Sequence, residues 1–483
     1  MHADLLSGFA AVAIPLIYLL GVVSAVDAIM TTRTAQGATA WALALVLLPF
    51  VSLPLYWVFG RVKFDEYVVA LRSLDARLHL ELDQARHGSL AEVTVELDDK
   101  SDLRAVGELR AFQALASVPM TSGNSASLLI NGTATFDAIF AAIESAREYV
   151  LAQFYIIKDD SVGQRFKAAM IGAARRGVKT LLLYDDVGSH SIPRRFVREL
   201  SDAGVVVSRF SGARRWPARF RLNFRNHRKI VVVDGTLAFM GGLNIGDEYL
   251  GPDATAGGWR DTHLALIGPA VLGVQYSFIR DWYYSRKEIP QLRWTSVRAE
   301  ANQRALVLAS GPEDTLERCG LLFTHAIESA ESRVWIASPY FVPDGRVLGA
   351  LQLAAFRGVD VRVLMPRKSD GILFTLVPYA YLTDLERAGV KVFLYEDCFM
   401  HQKVLLVDDD YGAVGTANLD NRSFRLNFEV MCLVNDSRFC GEVESMLLAD
   451  FERSTQLTEK DLTERSFFFR LATQLTRLLS PVL

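Results

Sequence analysis

One pattern occurs twice in this chain, and it decides what the chain can fold into. The first copy runs His227-x-Lys229, four residues, Asp234, six residues, Gly241, two residues, Asn244, and the second repeats it as His401-x-Lys403, Asp408, Gly415, Asn418. At residue frequencies of a few per cent, one such match in this length is roughly a one-in-ten-thousand event, so two indicate a duplication. The frame around each copy repeats as well. A strand (150–158 or 333–342) leads to a helix ending Arg175-Arg176-Gly177-Val178 or Phe356-Arg357-Gly358-Val359. A second strand (179–184 or 360–365) follows, then a short helix ending at Gly204 or Gly389, then the motif strand (229–233 or 403–407). The glycines supply left-handed helix caps, and the β-branched runs after them read as buried strands. Such alternation predicts an α/β fold: two halves with largely parallel sheets, related by a pseudo-twofold axis.

The repeated residue types suit a phosphodiester. On a strand, positions i and i+2 face the same side, so His227 and Lys229 can meet one group together, as can His401 and Lys403. The two lysines and the amides of Asn244 and Asn418 would stabilise the charge that builds on phosphoryl oxygens as a fifth ligand adds. A neutral imidazole is a nucleophile near pH 7, and a protonated one can release an alkoxide as alcohol. Two facing histidines therefore split one hard displacement into two easier ones. Asp234 and Asp408 complete the motif set and are expected to hold loops by local hydrogen bonds rather than touch substrate. A zinc site is disfavoured, because neither motif carries an acidic or cysteine ligand at metal spacing and the lysines would repel a cation. The expectation is chemistry without metal or cofactor. The other six histidines (His2, His79, His87, His190, His263, His325) lack this frame and read as structural. The net charge is −3, so any attraction to phosphate must be local.

These motifs resemble the paired HKD motifs of the phospholipase D superfamily, over roughly residues 126–483. The phrases at 221–251 (RLNFRNHRKIVVVDGTLAFMGGLNIGDEYLG), 259–263 (WRDTH), 338–344 (SPYFVPD) and 415–430 (GTANLDNRSFRLNFEV) are similar to those of bacterial cardiolipin synthases. The resemblance implies a phosphatidyltransferase. One histidine attacks the phosphorus of phosphatidylglycerol, and glycerol leaves with a proton from the other. A headgroup hydroxyl of a second phosphatidylglycerol then attacks the phosphatidyl-histidine, giving cardiolipin. Family analogy alone makes His227 the nucleophile and His401 the acid/base. It also implies a downstream carboxylate orienting each histidine, and the matching positions are Asp261 and Glu429. Two departures bear on substrate placement: Gln153 stands where the family often has an acid, and the segment after Asp370 (GILFTLVPYAYL) is unusually apolar. A hydrolase of the same superfamily, cleaving phospholipid or nucleic acid with water as acceptor, shares the covalent step, and the motifs do not separate it.

Apolar residues make up 51% of the chain, and much of the excess lies in the first sixty positions. Residues 5–26 carry no charge, and neither do 34–60. A bilayer span needs about 20 apolar residues, so both qualify, and the short connector predicts a two-helix transmembrane hairpin. Pro15, Pro49 and Pro54 are tolerable there. The first segment has no basic n-region and a second span follows at once, which argues against a cleaved signal. Arg33 alone lies between the spans, whereas Arg61, Lys63 and Arg72 follow them, so the bulk of the chain is expected in the cytoplasm. Cys319, Cys398, Cys432 and Cys440 form no CxxC pair and read as free thiols of a reducing compartment. The expected organisation is an anchor (1–62), a linking segment (63–125, with helix over 67–84 and a strand-like run at 91–97), and halves at 126–300 and 301–483.

Between Arg214 and Lys229 lie seven basic residues and no acidic one, interleaved with Trp216, Phe220 and Phe224. Such a surface suits anionic headgroups at about 1 kcal/mol per basic residue. A nucleic-acid groove can look similar, but the hairpin favours lipid, so the expected partners are phospholipids and a membrane, not nucleic acid. In the tail, Phe468, Leu471, Leu475, Leu478 and Leu479 recur at helical spacing, which predicts an amphipathic helix lying either at an interface or on the second half.

Overall fold

The computed structural model describes residues 2–32, 34–60, 64, 66–72, 74, 90–95, 103–211, 224–251 and 258–480. Much of the basic segment after Arg214, and most of the helix expected over 67–84, lie outside them.

A mixed sheet of sixteen strands, counted among the described residues, runs through both halves. At its centre Thr121–Ile130 pairs antiparallel with Gln303–Ser310, which joins the two halves into one layer. From that seam outward, the first half places Thr262–Ile267, Leu237–Gly241, Ile230–Val233, Tyr149–Phe154, Lys179–Asp185 and Val206–Phe210. The second half places Asn427–Asn435, Tyr411–Gly415, Val404–Val407, Arg333–Ala337, Asp360–Pro366 and Lys391–Tyr395, with Ser454–Leu457 at its edge. The strand order is the same in both.

The expectation of largely parallel sheets needs correction. In each repeated unit three strands, Tyr149–Phe154 to Val206–Phe210 and Arg333–Ala337 to Lys391–Tyr395, run parallel, where helices Ser161–Arg175, Arg194–Asp202, Gly345–Phe356 and Tyr379–Ala388 supply the crossovers, while the strands between them and the seam pair antiparallel. The motif strands turn back at once. Asp234 (φ 51°) and Asp408 (φ 49°) adopt the left-handed conformation at the start of tight turns, which makes Ile230–Val233 and Val404–Val407 the first arms of antiparallel hairpins. Those strands also begin one residue after the motif lysines. His227–Lys229 and His401–Lys403 are irregular segments leading into strands, not strand positions.

The linking segment is built into the core. Phe64, Tyr67, Leu71 and Leu74 are buried, and Phe64 stacks on Phe224 with ring centroids 5.0 Å apart. Thr94 bridges to Thr121, and helix Leu103–Leu115 sets Phe112 against Tyr411 of the second half.

At the N-terminus, His2–Thr31 forms one helix of 30 residues, which is long and apolar enough to cross a bilayer. The second apolar run is interrupted. Helix Ala35–Leu47 ends before Leu48 (φ −134°, ψ 54°), and Pro49–Leu55 and a π turn, Tyr56–Gly60, follow. The residue before a proline is pushed out of the helical region, and Pro49 has no N–H to continue the ladder. The first helix packs closely on the second: a Cβ at Gly21 would lie 2.4 Å from the Leu45 carbonyl oxygen. Tyr56 Oη donates to Asp27 Oδ2 at 2.9 Å.

The C-terminal helix Phe467–Leu478 turns its polar side inward. Thr473 and Thr476 are buried, Phe469 packs on Tyr379, and Ser480 pairs with Tyr381 Oη, while Phe468 is 79% and Leu478 74% exposed.

Candidate active site

His227 and His401 line one cavity of about 400 Å³, together with Tyr155, Arg225, Tyr249, Trp259, Tyr340, Asp370, Phe374, Asn418, Asp420, Arg422 and Asn427. Each half delivers its histidine on the extended segment before its motif strand. Backbone bonds across the seam fix both: His227 N donates to Phe428 O (3.0 Å) and His401 N to Arg260 O (2.7 Å).

The orienting carboxylates are exchanged between halves. His227 Nδ1 lies 3.0 Å from both oxygens of Glu429, in the second half, and His401 Nδ1 lies 2.8 Å from Asp261 Oδ2, in the first. A carboxylate on Nδ1 fixes the tautomer with the proton there and leaves Nε2 as the basic nitrogen.

The two supports differ in strength. Glu429 also accepts from Thr416 Oγ1 (2.5 Å), Ser423 Oγ (3.0 Å) and Asn427 Nδ2 (3.1 Å). Burial alone would raise its pKa, but the charge and hydrogen bond of His227, with Lys229 and Thr416, bring it below the ordinary value. Asp261 accepts beyond His401 from the Thr262 amide (2.7 Å), and burial pushes it up to about 6 against the charge of Lys403. Burial drives His227 down to about 4, opposed by Glu429. Burial, then Lys403, Lys229 and His227, drive His401 well below its ordinary value. Both imidazoles are therefore neutral at rest near pH 7.

Lys229 and Lys403 are fully buried behind the cavity, where each ammonium donates to the carbonyl of its own motif histidine, at 2.6 and 2.5 Å. Burial and their mutual repulsion hold Lys229 well below its ordinary range, and burial brings Lys403 to about 8. An anion brought to this cavity would reverse those shifts, because opposite charge favours the protonated forms.

The other motif residues divide. Asn418 lines the cavity with its amide on Asp420 Oδ2 (3.2 Å), and its carbonyl oxygen is buried with no partner among the described residues. Asn244, expected to meet phosphate, is not on the cavity lining: its Oδ1 accepts from Ile156 N (3.0 Å) and its Nδ2 donates to Tyr249 Oη (2.9 Å). Asp234 and Asp408 lie at the far ends of their strands and do not line the cavity. Their bonds are not local either. Asp234 accepts the amides of Arg147, Glu148 and Tyr149, and Asp408 those of Glu331, Ser332 and Arg333, which ties each motif hairpin to the start of its neighbouring strand, Tyr149–Phe154 or Arg333–Ala337. Gln153 also lies outside the cavity. It donates to Asn226 Oδ1 (2.6 Å) and Asp281 Oδ2 (2.7 Å) beneath the His227 segment.

Sequence reasoning missed Tyr155, Tyr340, Asp420 and Arg422, and read Arg225 only as one of seven basic residues on a lipid-facing surface. Arg225 and Arg422 sit inside phrases read for their histidine and glutamate, and their charge two residues from His227 and seven from Glu429 was the available signal. A second cavity, of about 560 Å³, adjoins the first through Trp259 and Asp370.

Comparison with known proteins agrees with this layout. The family described as cardiolipin synthase, PLD-like domain, matches residues 139–254 and 323–451, and the phospholipase D-nuclease N-terminal family matches 19–61. The chain is 45% identical to cardiolipin synthase A of Pseudomonas putida over all of both chains. It is 44% identical to cardiolipin synthase A of Pseudomonas fluorescens, over 97% of this chain and 98% of the other. A phosphatidylserine synthase from Haemophilus influenzae shares the fold, with a TM-score of 0.61 at 16% identity over 78% of this chain and all of its own. The chain belongs to the cardiolipin synthases of the phospholipase D-like family.

Proposed function

We propose that this chain is a phosphatidyltransferase that makes cardiolipin and glycerol from two phosphatidylglycerols through a phosphatidyl-histidine. The observation that carries the reading is the pair of neutral histidines on one cavity, each held at Nδ1 by a carboxylate of the opposite half. His227 Nε2 attacks phosphorus, the bond to the glycerol oxygen breaks, and His401 gives that oxygen its proton. His401 then takes the proton of the acceptor hydroxyl as it attacks phosphorus and the P–N bond breaks, returning His227 neutral. His401 is charged for the first step by the incoming phosphodiester, whose negative charge offsets the burial that keeps it neutral at rest. Assigning attack to His227 is supported by its carboxylate: Glu429 is the more firmly ionised of the two, so His227 is the more basic imidazole and His401 the readier acid. Lys229, Lys403 and Asn418 would carry the phosphoryl charge. Asp234 and Asp408 act by holding the hairpins.

The matching strand order and crossed carboxylates support two halves, about 126–300 and 301–483, related by a pseudo-twofold axis. The apolar residues 1–62 form the membrane anchor on this reading, the interrupted second run crossing back beside the first helix, and residues 63–125 link it to the catalytic halves. The basic residues after the second run support a cytoplasmic position for these, on the inner membrane. The outward apolar face of the C-terminal helix gives a second lipid contact.

Purified protein with phosphatidylglycerol as sole lipid should yield cardiolipin and glycerol in equal amounts. Phosphatidic acid as the sole product would sink the transferase reading and leave a hydrolase.

A further inference from the structure

In the second step two phosphoryl groups occupy the site at once: the phosphatidyl group bonded through nitrogen to His227 and the acceptor's own phosphodiester. The buried lysines, each attached to a motif histidine, account for the first. The wall beside His227 carries a separate pair of cations. Strand Arg225–Asn226 pairs in parallel with Asn427–Phe428, which sets Arg225 on the cavity two residues before the nucleophile. Arg422 reaches the same cavity from helix Asn421–Arg425, whose cap Asp420 accepts Ser423 N at 2.7 Å.

The two guanidiniums act on each other. Burial lowers the pKa of Arg422, and the charge of Arg225 lowers it further, against Asp420. Both charges also bear on the Tyr155 phenol between them on the lining. Two half-buried guanidiniums lining one cavity are stabilised by an anion within it, and their planar donor forks match phosphate oxygens in pairs.

We propose that Arg225 and Arg422 bind the phosphate of the second, acceptor phospholipid, while the motif lysines face the first. The proposal rests on the transferase reading above. It gives the enzyme a reason to prefer a lipid hydroxyl over water or free glycerol.

The test compares two rates in the full-length protein with phosphatidylglycerol in detergent micelles: formation of cardiolipin, and exchange of labelled glycerol into phosphatidylglycerol. The second uses an acceptor that has no phosphate. In the Arg225→Gln, Arg422→Gln double variant the ratio of cardiolipin formed to glycerol exchanged should fall about tenfold or more, the scale of losing charge-assisted bonds to one anion. The ratio for Arg422→Lys, which keeps the charge but not the fork, should lie between. An unchanged ratio, whether both rates drop together or neither does, overturns the proposal. Should the double variant not fold, the single Arg225→Gln variant, at a half-buried position, supplies the same ratio. Absence of glycerol exchange in the unaltered protein would overturn the phosphatidyl-histidine reading instead.

Discussion

At the scale of single residues, the site depends on which nitrogen of each histidine holds a proton. Glu429→Gln replaces an acceptor on His227 Nδ1 with a group that can donate, which favours the tautomer whose Nε2 carries hydrogen and cannot attack. A fall in kcat of about 10³–10⁴ is expected, with the fold intact by circular dichroism. Activity within tenfold of normal would remove Glu429 from the mechanism. The pH dependence follows from burial. His227 must be neutral to attack, and its pKa lies near 4, below the ordinary 6.5. The His227 step is therefore retained as pH falls through 6.5 and lost only near 4, while Asp261, pushed up to about 6 by burial, loses its charge beside His401 first. The acid side of kcat/KM, which reports the free enzyme, should fall in two steps, near 6 and near 4. A single limb near 6.5 with no further fall toward 4 would show an imidazole in ordinary contact with water.

At the scale of elements, the C-terminal helix is inverted for a protein surrounded by water, with threonines inside and Phe468, Leu471, Leu475 and Leu478 outside. An exposed helix ordinarily does the reverse. Each of those side chains would contribute about 1.5–3 kcal/mol on full transfer out of water. Next to it, helix Ile372–Leu376 leaves Ile372 76% exposed while Phe374 reaches the cavity. This explains the apolar segment after Asp370 that stood out in the sequence: it joins the outer face to the site. Replacing Leu471, Leu475 and Leu478 together with Asp should lower activity on bilayer vesicles about tenfold relative to activity on detergent-dispersed lipid, since the chemistry is untouched and only the approach to the bilayer is weakened. An unchanged ratio would show that the face meets something other than lipid.

At the scale of the whole molecule, one buried network ties the linking segment and both halves together. Asp281, on helix Val271–Arg286, accepts from Arg228 Nη1 (2.7 Å), Asn226 Nδ2 (2.8 Å), Gln153 Nε2 (2.7 Å) and, from the linking segment, Tyr67 Oη (2.7 Å). Arg228 continues to the carbonyls of Glu429 and Ser310 in the second half. Asp281→Ala leaves a fully buried guanidinium uncompensated and should cost about 3–5 kcal/mol of stability. The measurement is unfolding of the purified protein in detergent, and a loss under 1 kcal/mol would mean that the network relaxes to include water.

The duplication, the α/β class and the two histidines were legible in the chain, because each depends on residue type at a fixed local spacing; Asp261 and Glu429 came only from the resemblance to a family. A glycine cap, a β-branched run and an HxK step act over a few residues, and the sequence displays them directly. The crossing of Glu429 to His227 and of Asp261 to His401 was not legible, since pairs 202 and 140 residues apart meet only when the central seam forms. The placing of Asn244 off the cavity lining, the long reach of Asp234 and Asp408, and the placing of Arg225 and Arg422 on one cavity are of the same kind. Tertiary structure also determined the charge states: taking His227 and Lys229 out of water shifts their proton affinities further than any neighbour along the chain could.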